Sequence, residues 1–277
     1  MFRTAHRKAA ALALATACSF VALPAAAASA GTITLTGSTS VFPLIKQLTD
    51  TYHSKHPKTN FRITQGGSDI GINSAARGSV TLGTSSRDPQ ASDPKLNWIP
   101  FARDGICIVT NPSNPIGNFS RSTIQQIFAG RYRTWNQVPG HKITGPIQLV
   151  TRTPASGTAD AFQNIFMGAN LKISGNAAQK SSNGLVQAAV RSNKFAIAYL
   201  DFKFSAGTWA APYQGVKCNL GNAKRKSYKA LRNFFLVWKR VTRKPAYPAN
   251  AEAKAFVLWT QSKAAQAIVA RGWVPIT

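Results

Sequence analysis

The sequence predicts an α/β protein, and three observations carry that prediction. Short β-rich runs alternate with segments of helical periodicity along most of the chain. Several runs end in a Gly/Ser/Thr turn that leads directly into a helical segment. Hydrophobic residues are 44% of 277, enough to build a packed core and against a disordered chain.

Taken in order, residues 32–36 (TITLT) read as a first strand, followed by Gly37-Ser38-Thr39-Ser40. Pro43 then suits a helix N1 position, where its missing N–H costs nothing. Leu44, Ile45, Leu48 and Tyr52 continue at helical spacing. Residues 60–65 form a second strand, closed by Gly66-Gly67-Ser68 and a helix over 69–77. Residues 80–84 are a short third strand before Ser85-Ser86-Arg87, and 106–110 (ICIVT) a strong fourth, stopped by Asn111-Pro112. A helix is expected over 122–128 and a strand over 147–151. Ser156-Gly157-Thr158 opens a helix that places Phe162, Ile165 and Phe166 on one face. Residues 234–238 give a late strand, and 251–270 one long amphipathic helix ended by Gly272 at C′.

The first thirty residues read as an export signal: Arg3, Arg7 and Lys8, then an Ala/Leu-rich stretch, Pro24, and Ala28-Ser29-Ala30 as a cleavage site. Cleavage there starts the mature chain at Gly31, in the periplasm or cell envelope; lipid anchoring at Cys18 is the rival reading. Net charge is +26, or +23 without the leader. Cys107 and Cys218 are then the two remaining cysteines, leaving open either one disulfide in an oxidising compartment or two buried thiols. Such a basic chain attracts anions. From 202 to 251 there is no acidic residue, while Lys217, Lys224, Arg225, Lys226, Lys229 and Arg232 are among the cations there. The ordinary reading of that stretch is a solvated surface.

The chemistry lies in three similar turns, Gly37-Ser38-Thr39-Ser40, Gly66-Gly67-Ser68 and Ser156-Gly157-Thr158. Each offers backbone N–H groups, hydroxyls and the positive end of a helix, a suitable anion site built from neutral donors. Any one of them is ordinarily a helix cap; three in one chain suggest convergence. Arg152, four residues before Ser156, adds a guanidinium fork that matches a tetrahedral oxyanion.

Residues 35–44 (LTGSTSVFPL), Gln65-Gly66-Gly67-Ser68, residues 83–87 (GTSSR) and, most specifically, residues 152–158 (RTPASGT) together resemble the phosphate-binding proteins of phosphate ABC importers, the PstS family. The resemblance covers nearly all of 32–277. It implies a two-lobed type II periplasmic-binding-protein fold with ligand in the inter-lobe cleft, one lobe over 31–103 plus 234–277 and the other over 104–233. It also implies a monomeric, non-enzymatic receptor for inorganic phosphate that serves a membrane ABC permease and needs no cofactor. Carried over by position, the phosphate ligands are Thr39, Ser40, Val41 and Phe42 (through its backbone N–H), with Ser68, Arg152, Ser156, Gly157 and Thr158. Where the family can carry a carboxylate that accepts the proton of hydrogen phosphate, this chain has Ser86. Asp69, Asp88 or Asp104 is the substitute acceptor, with Asp104 chosen because it stands at the expected lobe crossing. The alternatives are an exported basic protein of the same fold that binds anionic cell-envelope polymers, or a binder of sulfate, molybdate or a phosphonate. Catalysis has little support: His53, His56 and His141 lack any triad context, and Walker A, HExxH and GxSxG patterns are absent.

Overall fold

The first strand, β1 (Thr32–Gly37), pairs in parallel with β2 (Asn60–Gln65) and β3 (Leu82–Ser85), and the helices between them pack on that sheet. The computed structural model describes residues 31–240 and 247–276, so the expected leader, Cys18, and Arg243 and Lys244 of the basic stretch lie outside the described residues. Helix α1 (Phe42–Lys55) carries Pro43 in its first turn and buries Leu44, Ile45, Leu48 and Tyr52, the spacing read from sequence. Helix α2 (Ser68–Arg77) begins at Ser68 itself and ends at Gly78, whose φ of 72° is the left-handed conformation glycine accepts.

Strand β4 (Leu96–Thr110) is much longer than the predicted 106–110. Its first part pairs antiparallel with β9 (Leu231–Lys239), which also pairs with β3. The register shifts between Pro100 and Ala102, the irregularity that lets a proline sit inside the ladder. The second part of β4, from Ile106, pairs with β7 (Ala196–Asp201), and β5 (Gln148–Arg152) and β6 (Ala178–Lys180) continue that sheet. A two-residue strand, β8 (Trp209–Ala210), also pairs with β4. The strand order is β2-β1-β3-β9-β4-β7-β5-β6.

Two cores flank this sheet, giving the two-lobed α/β fold that the resemblance implies. One gathers Ile33, Leu35, Leu44, Leu82, Phe101, Phe234, Phe256 and Trp273. The other gathers Ile106, Ile108, Phe128, Trp135, Phe162, Phe166 and Tyr199. The chain passes between them on β4 and β9, whose facing residues at the crossing are Arg103 and Asn233, Asp104 and Arg232, Gly105 and Leu231. The C-terminal tail adds to the crossing: Arg103 and Val274 exchange backbone hydrogen bonds of 2.8 and 2.9 Å. Cys107 and Cys218 are disulfide-bonded, joining β4 to the loop before α6 (Leu220–Lys224) within the second core.

The second lobe also carries α3 (Arg121–Phe128), α4 (Gly157–Phe162) and α5 (Asn183–Ser192). The single long C-terminal helix is corrected to two, α7 (Ala251–Thr260) and α8 (Lys263–Val269). Ser262 breaks the run because its Oγ accepts the Ala265 N–H and so caps a new helix. Gly272 is not a left-handed C′ residue: its φ is not positive, and its N–H donates to Val269 O in a further turn. None of the helices among the described residues is long and apolar enough to cross a membrane.

Candidate functional site

All three Gly/Ser/Thr turns meet at the crossing, two from the first lobe and one from the second. In the first turn, Gly37 has φ 141°, and a Cβ there would lie 2.1 Å from Thr84 O, so only glycine lets β1 turn this close to β3. The turn is pinned by Ser38 N–H donating to Thr84 Oγ1 at 3.0 Å, and Ser38 Oγ accepts from Ser40 N–H at 3.2 Å and Val41 N–H at 3.4 Å. The Phe42 N–H, expected to face an anion, instead donates to Ser38 O at 3.2 Å, because the first turn of α1 claims it. Val41 is a core side chain. Thr39 Oγ1 is buried with no hydrogen-bond partner among the described residues.

Ser86, after β3, is fully buried between the two first-lobe turns. Its N–H donates to Ser68 Oγ at 3.0 Å, and its Oγ accepts from Ser38 Oγ at 2.8 Å and lies 3.3 Å from Ser68 Oγ. The third turn faces them across the cleft. Ser156 caps α4, its Oγ accepting from the N–H groups of Thr158 and Ala159. A Cβ on Gly157 would lie 2.3 Å from Ser68 Oγ and 2.9 Å from Ser86 Oγ, so the lobes approach at a point where a side chain has no room. Thr158 Oγ1 and Ser40 Oγ share a 2.9 Å hydrogen bond between lobes, and Asp69 N–H donates across to Ala155 O at 3.2 Å.

Arg152 ends β5 and is 4% exposed. Its Nε donates to Lys180 O at 3.1 Å, Nη2 to Ser181 O at 2.9 Å and Nη1 to Asn183 Oδ1 at 2.6 Å. Tyr199, stacked on Phe162, fixes the strand end from behind: its hydroxyl bonds Thr151 Oγ1 at 2.7 Å and accepts the Arg152 N–H at 3.3 Å. Burial pushes the Arg152 guanidinium down to about 10, with the like charge of Arg232 acting the same way. The guanidinium still keeps one uncommitted N–H on each terminal nitrogen.

Sequence reasoning missed Asn183, Asp201 and Arg232. Asn183 Nδ2 donates to Ser40 Oγ at 2.6 Å and to Asp201 Oδ2 at 3.0 Å, so one amide ties Arg152, Ser40 and Asp201 together. Arg232 had the signature of the solvated basic stretch, yet it is 5% exposed, because β9 carries it through the crossing. Its Nη2 donates to Ser40 Oγ at 2.8 Å and lies 3.5 Å from Asp201 Oδ2. The rest of that stretch is as expected: Lys217, Lys224, Arg225, Lys226 and Lys229 are exposed.

Asp104 sits at the crossing and is fully buried. Oδ1 accepts the N–H of the next residue, Gly105, and Oδ2 is 4.0 Å from Arg232 Nη2 with no hydrogen bond among the described residues. Burial first, then the Asp201 charge, hold the Asp104 carboxyl well above the usual range; Arg232 only partly opposes this. Burial raises Asp201 as well. No group of His, Cys, Asp or Glu among the described residues is arranged to hold a metal ion.

At the mouth of the cleft, Arg87 binds Asp93 through Nη2 at 2.7 Å and Asp69 through Nε at 3.0 Å. Gln90 Nε2 donates across the lobes to Asp160 Oδ1 at 2.5 Å. Six of the chain's eight acidic residues therefore line this one cleft: Asp104 and Asp201 at its floor, and Asp69, Asp88, Asp93 and Asp160 at its mouth.

Two lobes joined by paired crossing strands bring polar turns from both together in one buried cleft, the architecture of two-lobed binding-protein folds. The chain belongs to the PBP superfamily, whose domain matches residues 23–264. Among curated relatives, a PstS 2 phosphate-binding protein of Streptococcus agalactiae is 32% identical over 112 residues, 40% of this chain and 38% of that protein's length. The chain thus spans well under half of the first relatives it matches. The PstS phosphate-binding protein of Bacillus subtilis is 24% identical over 257 residues, 89% of this chain and 81% of that one. A substrate-binding protein from Clostridium perfringens, solved with bound phosphate, superposes with a TM-score of 0.81 at 28% identity, covering 89% of this chain and all of that one. An ABC-type phosphate transport receptor from Vibrio cholerae gives 0.70 at 25%, covering 87% and 99%.

Proposed function

We propose that this protein captures inorganic phosphate in the inter-lobe cleft and delivers it to the membrane permease of an ABC importer, without catalysing a reaction. One observation carries the reading. Ser40, Ser68, Ser86, Gly157 and Thr158 converge from both lobes on one buried point beside Arg152. Hydroxyls, helix starts and a guanidinium suit a tetrahedral oxyanion, and a metal or cofactor has no part in that recognition. The relatives named for phosphate binding, and the neighbour solved with phosphate, support the same ligand. Ligands drawn from both lobes stabilise the closed state over the open one, so binding and closure are linked. The moving units are 31–103 with 234–277, and 104–233, turning about β4 and β9.

Export follows from the leader and fits the disulfide. The exposed cations around α6 support a second, weaker attraction to anionic envelope polymers, sensitive to salt. The test is calorimetric titration of phosphate into the exported protein after unfolding and refolding to strip bound ligand, repeated with excess sulfate and at two salt concentrations. A one-to-one isotherm that resists both is expected. Heat that disappears with salt would replace the cleft reading with diffuse surface attraction.

A further inference from the structure

We propose that Arg232 is a second guanidinium ligand of the bound anion and favours a doubly charged tetrahedral oxyanion. This rests on the phosphate reading above and adds a specificity-determining residue to it. Three observations point to Arg232.

The first is where its nitrogens reach. Nη2 donates to Ser40 Oγ at 2.8 Å, and Nη1 reaches Ser86 Oγ at 3.5 Å. One guanidinium edge therefore spans hydroxyls of the first turn and of the segment after β3, the two walls the first lobe offers to an anion.

The second is how poorly the charge is matched. Arg232 is 5% exposed, yet its carboxylate neighbours stand at 3.5 Å (Asp201) and 4.0 Å (Asp104), and its Nε has no hydrogen-bond partner among the described residues. A buried charge whose two carboxylates stand outside hydrogen-bond contact is only partly compensated, and burial lowers the Arg232 pKa against the opposing pull of Asp104 and Asp201. Arg152, the other buried cation at the cleft floor, is pushed down partly by Arg232 itself. A dianion lying against both guanidinium groups relieves burial and mutual repulsion together.

The third is Ser86. A carboxylate there would lie beside Nη1 and neutralise it. The hydroxyl leaves the Arg232 charge available and can accept or donate as the anion requires.

A purely structural alternative exists: Arg232 could serve only to hold the crossing strands through Asp104 and Asp201. Removing the counter-charge separates the two roles: Asp201→Asn frees Arg232, and its one amide oxygen can still accept the Phe204 N–H in place of Oδ1, while the Oδ2 acceptor of Asn183 is given up. The experiment is calorimetric titration of inorganic phosphate into the stripped wild-type protein and into R232Q, R232K, D201N and R152A, each checked for cooperative thermal unfolding. R232Q is expected to bind roughly 100-fold more weakly, as loss of a charge-assisted ligand does, with R232K intermediate. D201N is expected to bind at least about threefold more tightly.

The inference is overturned if R232Q stays within about threefold of wild type, or if R232Q and D201N weaken binding by the same factor. Should R232Q not fold, R232K decides: affinity within about threefold of wild type overturns the proposal, because a lysine cannot reproduce a guanidinium fork. Wild-type protein that is folded but gives no phosphate heat removes the phosphate reading and this inference together. Loss of binding in R152A alone, with R232Q silent, removes only this inference.

Discussion

Mouth and floor of the same cleft treat a buried arginine in opposite ways. At the mouth, Arg87 is clasped by Asp93 at 2.7 Å and Asp69 at 3.0 Å. Burial alone would lower its pKa, but the hydrogen bonds and charges of these two carboxylates outweigh it and raise the pKa. At the floor, Arg152 is held by two backbone carbonyls and an amide, with no carboxylate in contact, and its pKa falls to about 10. A cation bound to carboxylates is spent on structure. A cation bound to neutral acceptors is oriented while its charge stays unmatched, which is the condition for attracting an anion. The contrast separates Arg87 from Arg152 by role without reference to any relative.

The largest effect is expected at the floor. Arg152→Ala should lower phosphate affinity by at least about 100-fold, since two charge-assisted bonds are worth about 1.5–3 kcal/mol each. Calorimetry reads the loss, and a native circular dichroism spectrum confirms that the fold persists. Unchanged affinity would mean that the anion sits elsewhere. Gly157→Ala comes next: its Cβ would press on Ser68 and Ser86, so closure is impeded and affinity should fall about tenfold. Small-angle scattering with and without phosphate would show whether compaction is lost as well.

At the mouth the effects change kind. Arg87→Ala should cost about 1–3 kcal/mol of stability in denaturant unfolding, less than a wholly buried pair because Asp69 is partly exposed, while phosphate affinity moves only a few-fold. A loss of affinity as large as that of Arg152→Ala would erase the distinction between mouth and floor.

The smallest effect concerns Asp160, which faces Gln90 across the lobes. Burial first, and then the charges of Asp69, Asp88 and Asp93 against the opposing pull of Arg87, raise its pKa in the closed form. A raised carboxyl pKa stabilises the closed form below the ordinary aspartate range, and that contribution is lost as pH rises through the shifted value. Asp160→Asn keeps the acceptor for Gln90 and should bind phosphate a few-fold more tightly than wild type at pH 8, with the gap closing at pH 4. A constant ratio across that range would show that Asp160 does not titrate with closure.

Much of this arrangement was legible in the sequence where it is local. A strand, a glycine turn and a helix start lie within ten residues of one another, so β1, β2 and β5 and their turns follow from pattern and chemistry. What escaped is non-local. The part of β4 that pairs with β9 holds Pro100 with Asn97, Arg103 and Asp104 and carries no local strand signal; it becomes strand because β9, more than a hundred residues later, supplies its hydrogen bonds. Arg232 looked like one more surface cation because only the pairing of β9 with Asp104 shows that it is buried. Asn183 and Asp201 stand in ordinary helix-start and strand-end positions, and nothing local marks them. Asp104 stands at the crossing as expected, where Oδ1 accepts the Gly105 N–H and Oδ2 has no hydrogen bond among the described residues.

The position of β9 between β3 and β4 has a consequence for the order in which this chain can fold. The second lobe is one contiguous stretch, with its disulfide wholly inside it, and can organise on its own contacts. The first lobe cannot finish, because β9, the strand that joins β3 to β4 in its sheet, comes after the whole second lobe in the chain. Such long-range pairing folds slowly. The N-terminal segment therefore stays without the strand that joins β3 to β4 until most of the chain has been made, so its half of the cleft cannot form before the second lobe exists.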